Sequence, residues 1–359
     1  MIMNEIKQKK ELETHWPEDE LESVPACPVC GDRRREVLHE GLTDRVFFCA
    51  PGAWTMWRCG NCLSGYLDPR PTPASIGRAY AEYCTHQNPP LKAVYSALSP
   101  LRKIRRRLVN GYTNWRFHTC AVPSSMWGIP LFFFLWPQRI HLDHEYRNIP
   151  HSPMNSNDGT LLDIGCGNGL FLKIAQTCGY TVTGLDPDIK SVNIGRKQGL
   201  NIIHGGIEQF DGQDNLFDII TLSHVIEHVH DPLVTLQACH RLLKSGGLLW
   251  IETPNISSLG HHCQGCNWFH LDSPRHLILF NLRSLKLIIE RVGFNRITQL
   301  PIPNPLPSVM KASESIRRGL PFRSDINLSW RQRIWLFYAC IIETCKSETR
   351  DLLLIKASK

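Results

Sequence analysis

One stretch constrains this chain more than any other: residues 160–188, TLLDIGCGNGLFLKIAQTCGYTVTGLDPD, read as strand, glycine-rich turn, helix, strand and acid. That order is a nucleotide-binding βαβ opening. Gly165, Gly167 and Gly169 remove side chains where the backbone must turn sharply and come close to a ligand, at the start of the helix FLKIAQTC. A dinucleotide site needs G-x-G-x-x-G, yet position 170 is Leu and the third glycine falls one residue early. The pyrophosphate reading weakens. Asp186, which closes the second strand TVTGLD, remains placed to accept both hydroxyls of a ribose.

A chain of 359 residues, 42% hydrophobic and 20% charged, has room for a substantial core plus a smaller module. The N-terminus, MIMNEIKQKKELETHWPEDE, is polar and shows no secretory signal, so the fourteen cysteines are expected in a reducing cytoplasm. Four of them form two knuckles, Cys27-Pro-Val-Cys30 and Cys59-Gly-Asn-Cys62, expected to grip one structural zinc as a tetrahedron, with strands from VFFCAPGAWTMWRC between them. Four thiolates leave no open position, which argues against a catalytic zinc. Cys263 and Cys266 follow His261 and His262, but without a distant matching pair they read as loop composition.

Composition shifts divide the chain into a polar tail (1–22), a zinc-ribbon-like module (23–75), a helical linker with a basic and apolar insertion (76–154) and an α/β domain (155–359). The net charge of +7 sits in the linker: residues 91–118 carry Lys92, Arg102, Lys103, Arg105, Arg106, Arg107 and Arg116 without an Asp or Glu. A near-neutral remainder argues against a protein coated for nucleic acid. The run MWGIPLFFFLW, residues 126–136, is too short to cross a bilayer. Two readings stay open for 91–140: shallow membrane contact, or packing onto the α/β domain or a partner subunit. Oligomeric state is not fixed.

LLDIGCGNG, GLD, FDIITLSHVIEHVHDP and LLKSGG, in that order, resemble class I S-adenosylmethionine-dependent methyltransferases over most of residues 160–300. The resemblance implies a Rossmann-like α/β domain with a seven-stranded mixed sheet and helices on both faces. FNRITQL and DLLLIKA would be its sixth and seventh strands, with a helical insertion between them. It further implies S-adenosylmethionine as cofactor, with Asp163, Gly165 and Gly167 along its methionine part, Asp186 on the ribose, Ile207 and Glu208 near the adenine, and Gly169 and Ser223 also among the cofactor-binding residues. The cysteine knuckles, YLDPRPT and NWFHLDSPRHLILFN narrow the match: they are similar to bacterial methyltransferases with an N-terminal zinc-binding domain, many of which modify sugars or other small precursors.

The implied activity is methyl transfer to a small or lipid-linked acceptor, such as a sugar in polysaccharide or secondary-metabolite biosynthesis. The E-H-V-x-D-P stretch is also similar to quinone-type O-methyltransferases at the membrane surface. From a different class comes a non-catalytic adaptor for nucleic acid or protein. Proton removal from a hydroxyl acceptor calls for a base, and the candidates are His224 and His228, after the fourth strand, and His276 from a later loop that also carries His270. The same His224-x-x-Glu227-His228 spacing, completed by His276, would suit a divalent metal; alternatively these groups cap the helix that E-H-V is expected to begin.

Overall fold

The computed structural model describes residues 15–80, 98–150 and 159–359. Lys92 and most of the polar tail and of the linker at 151–159 lie outside these. The cysteine region is built from short strands: β1 (Leu21–Glu22) pairs with β5 (Arg70–Pro71), while β2 (Arg35–Leu42), β3 (Trp54–Cys59) and β4 (Gly65–Leu67) form an antiparallel sheet. Trp16, read from sequence as tail, is buried edge-on against Trp54 at 5.5 Å, because an indole has too much apolar surface to leave in water. The segment SIGRAYAEY shows a single 3-10 turn at Ile76–Tyr80, and its remainder lies outside the described residues.

Three helices follow: α1 (Pro100–Phe117), α2 (Gly128–Phe134) and α3 (Trp136–Glu145). The large sheet then opens with β6 (Thr160–Ile164), whose Leu161, Leu162 and Ile164 show the unbroken apolar pattern of a strand covered on both faces. Crossover helices α4 (Leu170–Thr177), α5 (Ile189–Arg196) and α6 (Pro232–Leu242) link it to β7 (Thr181–Asp186), β8 (Ile202–His204), β9 (Phe217–Ser223) and β10 (Leu243–Pro254), all parallel. After α7 (Leu259–Gln264), β11 (Ile278–Leu279) and α8 (Leu282–Val292) come β12 (Asn295–Gln299), helices α9 (Leu306–Arg317) and α10 (Trp330–Cys345), and β13 (Leu352–Ser358). The order is β12-β13-β10-β9-β6-β7-β8, with β13 antiparallel to both neighbours. This is the seven-stranded mixed sheet expected, with β12 and β13 as its last strands and α9 and α10 as the insertion between them.

The two sheets are not independent. β11 leaves the α/β domain to pair with β4, so the small sheet runs β11-β4-β3-β2, and Met56, Tyr66 and Leu67 share one core with Ile256, Trp268 and Ile278. Arg275, fully buried, locks the seam: it donates to Asp44 at 2.6 and 3.1 Å, to Asp272 at 2.6 Å and to the Ala79 carbonyl at 2.9 Å. A buried guanidinium is tolerated only when its donors are taken in this way.

Candidate active site

The carboxyl ends of β6, β7, β9 and β10 meet at one edge of the sheet, and the residues singled out from sequence gather there. Gly165 turns the chain out of β6 at φ 67°, and a Cβ in its place would run into Val225, so glycine is required twice over. Asp163, 1% exposed, accepts from the Thr221 hydroxyl at 2.8 Å and from the Arg147 guanidinium, which lies 3.8 Å above the Phe171 ring. Its other oxygen, Oδ2, is buried without a partner. Asp186 accepts the Gly167 N–H at 2.7 Å and the Asp188 N–H at 2.9 Å, and burial outweighs both in holding its carboxyl above the usual range. Gly205 N–H bonds the Asp186 carbonyl at 3.0 Å, which starts the loop to half-buried Ile207 and exposed Glu208 beside that acid. An unpaired buried carboxylate oxygen at a Cβ-free turn fits the charged methionine end of S-adenosylmethionine, and an acid at the end of the next strand fits its ribose.

One strand over, Ser223 donates to Glu252 Oε2 at 3.3 Å, and Glu252 Oε1 lies 2.9 Å from His144 Nε2. His224 follows at φ 53°, with its side chain 40% exposed, the Glu227 carboxylate 3.2 Å from Nδ1 and Glu252 4.0 Å from Nε2. Burial pulls its pKa down, but the bond to Glu227 and the charge of Glu252 outweigh that and hold it near 9. Glu227 is fully buried and held down to about 2, where burial is outweighed by the His224 hydrogen bond. His228 is pushed to about 4, chiefly by burial. Its Nδ1 stands 3.0 Å from both the Arg275 carbonyl and the Tyr80 hydroxyl. His276 Nδ1 donates to the His270 carbonyl at 2.7 Å.

Of the three histidine candidates, His224 is therefore the accessible one, while His228 and His276 are tied into the seam. Glu227, His228 and His276 bring polar atoms within 4.8 Å of one another, but His224 stands outside that set with its Nδ1 committed to Glu227. The helix after β9 does not begin at E-H-V: residues 226–228 form a turn, and Asp231 caps α6 by accepting the Val234 N–H at 3.0 Å. Sequence reasoning missed Arg147, His144 and Glu252. Glu252 was findable, because it ends a strand at the ligand edge as Asp186 does. His270, from the later loop, stacks on His224 with centroids 6.4 Å apart, and its buried Nε2 has no partner.

Away from this edge, the four knuckle cysteines converge. Cys27 and Cys62 Sγ lie 3.6 Å apart, Cys30 and Cys59 Sγ 3.4 Å apart, and all four fall within 4.8 Å of one another. Sulfurs at 2.3 Å around a tetrahedral zinc stand about 3.8 Å apart, so the set is compatible with that ion. Cys263 and Cys266 are exposed and belong to no such group among the described residues.

Residues 139–299 match the methyltransferase domain family. Among curated proteins, the chain is 37% identical over 106 residues to a ubiquinone biosynthesis O-methyltransferase of Actinobacillus pleuropneumoniae serotype 5b, covering 26% of this chain and 45% of that protein. With the enzyme of the same name from Caulobacter vibrioides it shares 38% over 103 residues, 27% of this chain and 41% of the relative. The chain thus spans less than half the length of the curated relatives it matches. A solved methyltransferase from Archaeoglobus fulgidus aligns with 64% of this chain and all of its own, at 22% identity and a TM-score of 0.44. Sheet order, glycine turn and family match agree: residues 139–299 of the chain carry a methyltransferase domain on a Rossmann-like sheet.

Proposed function

We propose that the chain methylates a hydroxyl group of a small or lipid-linked acceptor, and that the four cysteines hold a structural zinc. The observation that carries this reading is the pairing, on adjacent strands, of a turn with an unsatisfied buried carboxylate oxygen and an accessible histidine backed by a buried glutamate. When bound, S-adenosylmethionine would supply an electrophilic methyl on sulfonium, which an oxygen nucleophile would take as the carbon–sulfur bond breaks and the neutral thioether leaves. The protein's part is positioning, water exclusion and proton removal. Asp163 and Asp186 hold the two ends of the cofactor. The lone Nε2 of His270, kept neutral because burial drives its pKa far down, is the polar contact left for an acceptor oxygen. His224 takes the acceptor's proton on Nε2 while Glu227 fixes the ring through Nδ1.

Two acceptor classes divide the support. The cysteine knuckles and the PRHL stretch favour a sugar of polysaccharide or secondary-metabolite assembly, and the relatives named for ubiquinone biosynthesis favour a phenolic hydroxyl. Calorimetry of S-adenosylmethionine binding to the full chain, beside Asp186→Ala and with zinc content measured on the same sample, tests the core of the proposal. Micromolar binding abolished in the variant, with one zinc per chain, is expected. A folded wild type that binds no cofactor sinks it.

A further inference from the structure

The helices α1–α3 lie mostly before the segment that matches the methyltransferase family, and the reaction uses little of them. Their inner side is settled. Tyr112, Phe117, Phe132 and Leu142 are buried in one cluster with Leu161 and Leu172 of the α/β domain. The crossing of α1 and α2 is so close that a Cβ at Gly111 or Gly128 would overlap the main chain of Ser125 or Leu108. Asn110 Nδ2 donates to the Pro123 carbonyl at 2.8 Å and the Ser125 N–H to the Arg107 carbonyl at 2.9 Å, which fixes the intervening loop against α1. The apolar run 126–136 is thus only half absorbed by packing.

The other half faces outward. Val122 and Phe134 are 84% exposed, Met126 and Trp127 75% exposed, and Trp136 is nearly half exposed. These large side chains sit on a rigid platform rather than a loose loop. Beside them, Arg102, Arg105, Arg106 and Arg107 are exposed along the first half of α1. No Asp or Glu occurs between residues 100 and 142. Large apolar side chains exposed this close together in the chain mark an interaction site.

We infer that this face docks the protein on a membrane carrying anionic phospholipid, with Met126, Trp127 and Phe134 in the headgroup–acyl boundary and the α1 arginines on the phosphates. No helix among the described residues is long and apolar enough to cross a bilayer, so the contact is shallow. The chemistry selects this occupant. A second copy paired through the same patch would set arginines against arginines about a two-fold axis. A nucleic acid would use the arginines but gain nothing from Val122, Met126 and Phe134. The inference stands apart from the identity of the methyl acceptor.

Flotation of the zinc-loaded full chain with phosphatidylcholine vesicles, with and without phosphatidylglycerol, tests it. Binding to the anionic vesicles, weakening as salt rises, is expected. Trp127→Ser with Phe134→Ser weakens it by about tenfold or more. Arg102→Gln, Arg105→Gln, Arg106→Gln and Arg107→Gln together abolish the preference for anionic lipid, at about fivefold per charge. All these residues are exposed, so both variants keep the wild-type affinity for S-adenosylmethionine. Absence of flotation, or flotation that neither variant alters, overturns the inference. So does a dimer in sedimentation equilibrium that the Trp127/Phe134 variant splits, or salt-sensitive RNA binding without vesicle binding. Vesicle binding by a chain that binds no S-adenosylmethionine removes the proposed function alone.

Discussion

The two halves of the site are assembled in opposite ways. The cofactor half is local: the Gly167 N–H and the Asp186 carboxylate that accepts it are 19 residues apart, within one βαβ unit. The acceptor half is gathered from distant segments, with Tyr80 148 residues from His228 and Asp44 231 residues from Arg275. A local unit keeps its geometry as long as one strand–turn–helix forms. A gathered one depends on every seam that brings its parts together, so the two halves differ in what disrupts them.

Asp44→Ala gives the largest effect. It removes one of the two carboxylate partners of a fully buried guanidinium and frees the N–H groups of Phe47, Cys49 and Ala50, which Asp44 now accepts at 2.9–3.0 Å. Breaking a buried ion pair by removing one partner, together with the loss of three N–H acceptors, costs about 3–5 kcal/mol, read as a lower denaturant midpoint. Cofactor affinity in the folded fraction stays within a few-fold of wild type. If it falls as steeply as stability does, the halves are one unit and the contrast fails.

His224→Gln acts on chemistry rather than folding. Losing the base costs about a hundredfold or more in kcat, while cofactor affinity holds. The wild-type profile has a definite sign. With its pKa held near 9, the imidazole is mostly protonated at neutral pH, so kcat rises with pH up to about 9 and then levels off. The glutamine variant shows no such rise. A wild-type rate already flat from pH 6 to 9, on the measured methyl-transfer step, assigns the proton to another group.

The same contrast explains what could be read from sequence. LLDIGCGNG and GLD state their roles because glycine at a left-handed turn and an acid at a strand end have few alternatives. The last strands, β12 and β13, were legible through the family resemblance of FNRITQL and DLLLIKA rather than through a local pattern. The cysteine spacing pointed to one tetrahedral site, and the four sulfurs do converge. The acceptor half was legible only as a list of histidines, because no short-range pattern tells which of His224, His228 and His276 remains accessible. The tethering of half-buried His228 and buried His276 is decided by Arg275, Tyr80 and the small sheet, far away in sequence. The apolar run 126–136 likewise does not declare that Phe132 turns inward and Phe134 outward; that split is set by how closely α2 crosses α1.

The smallest of these effects separates the halves by pH. His39 of β2 and His261 of α7 bridge the seam, Nε2 to Nε2, at 2.9 Å, and burial drives His261 down to about 4 from its ordinary 6.5. A histidine whose folded pKa is depressed contributes stability that is complete above 6.5 and lost as pH falls towards 4, because the unfolded chain takes up the proton first. At pH 5 the loss amounts to about 2 kcal/mol. Asp186, raised by burial, has the opposite sign and loses nothing on acidification. Hydrogen exchange corrected for intrinsic rates is therefore expected to show β2, β4 and β11 losing protection between pH 7.5 and 5 while β6 and β7 keep theirs. His261→Gln removes the share of that acid sensitivity due to His261 and leaves the shares of His228 and His270, which burial also holds down. Uniform loss across both sheets would mean that the seam and the glycine turn unfold together, and that the halves share one stability.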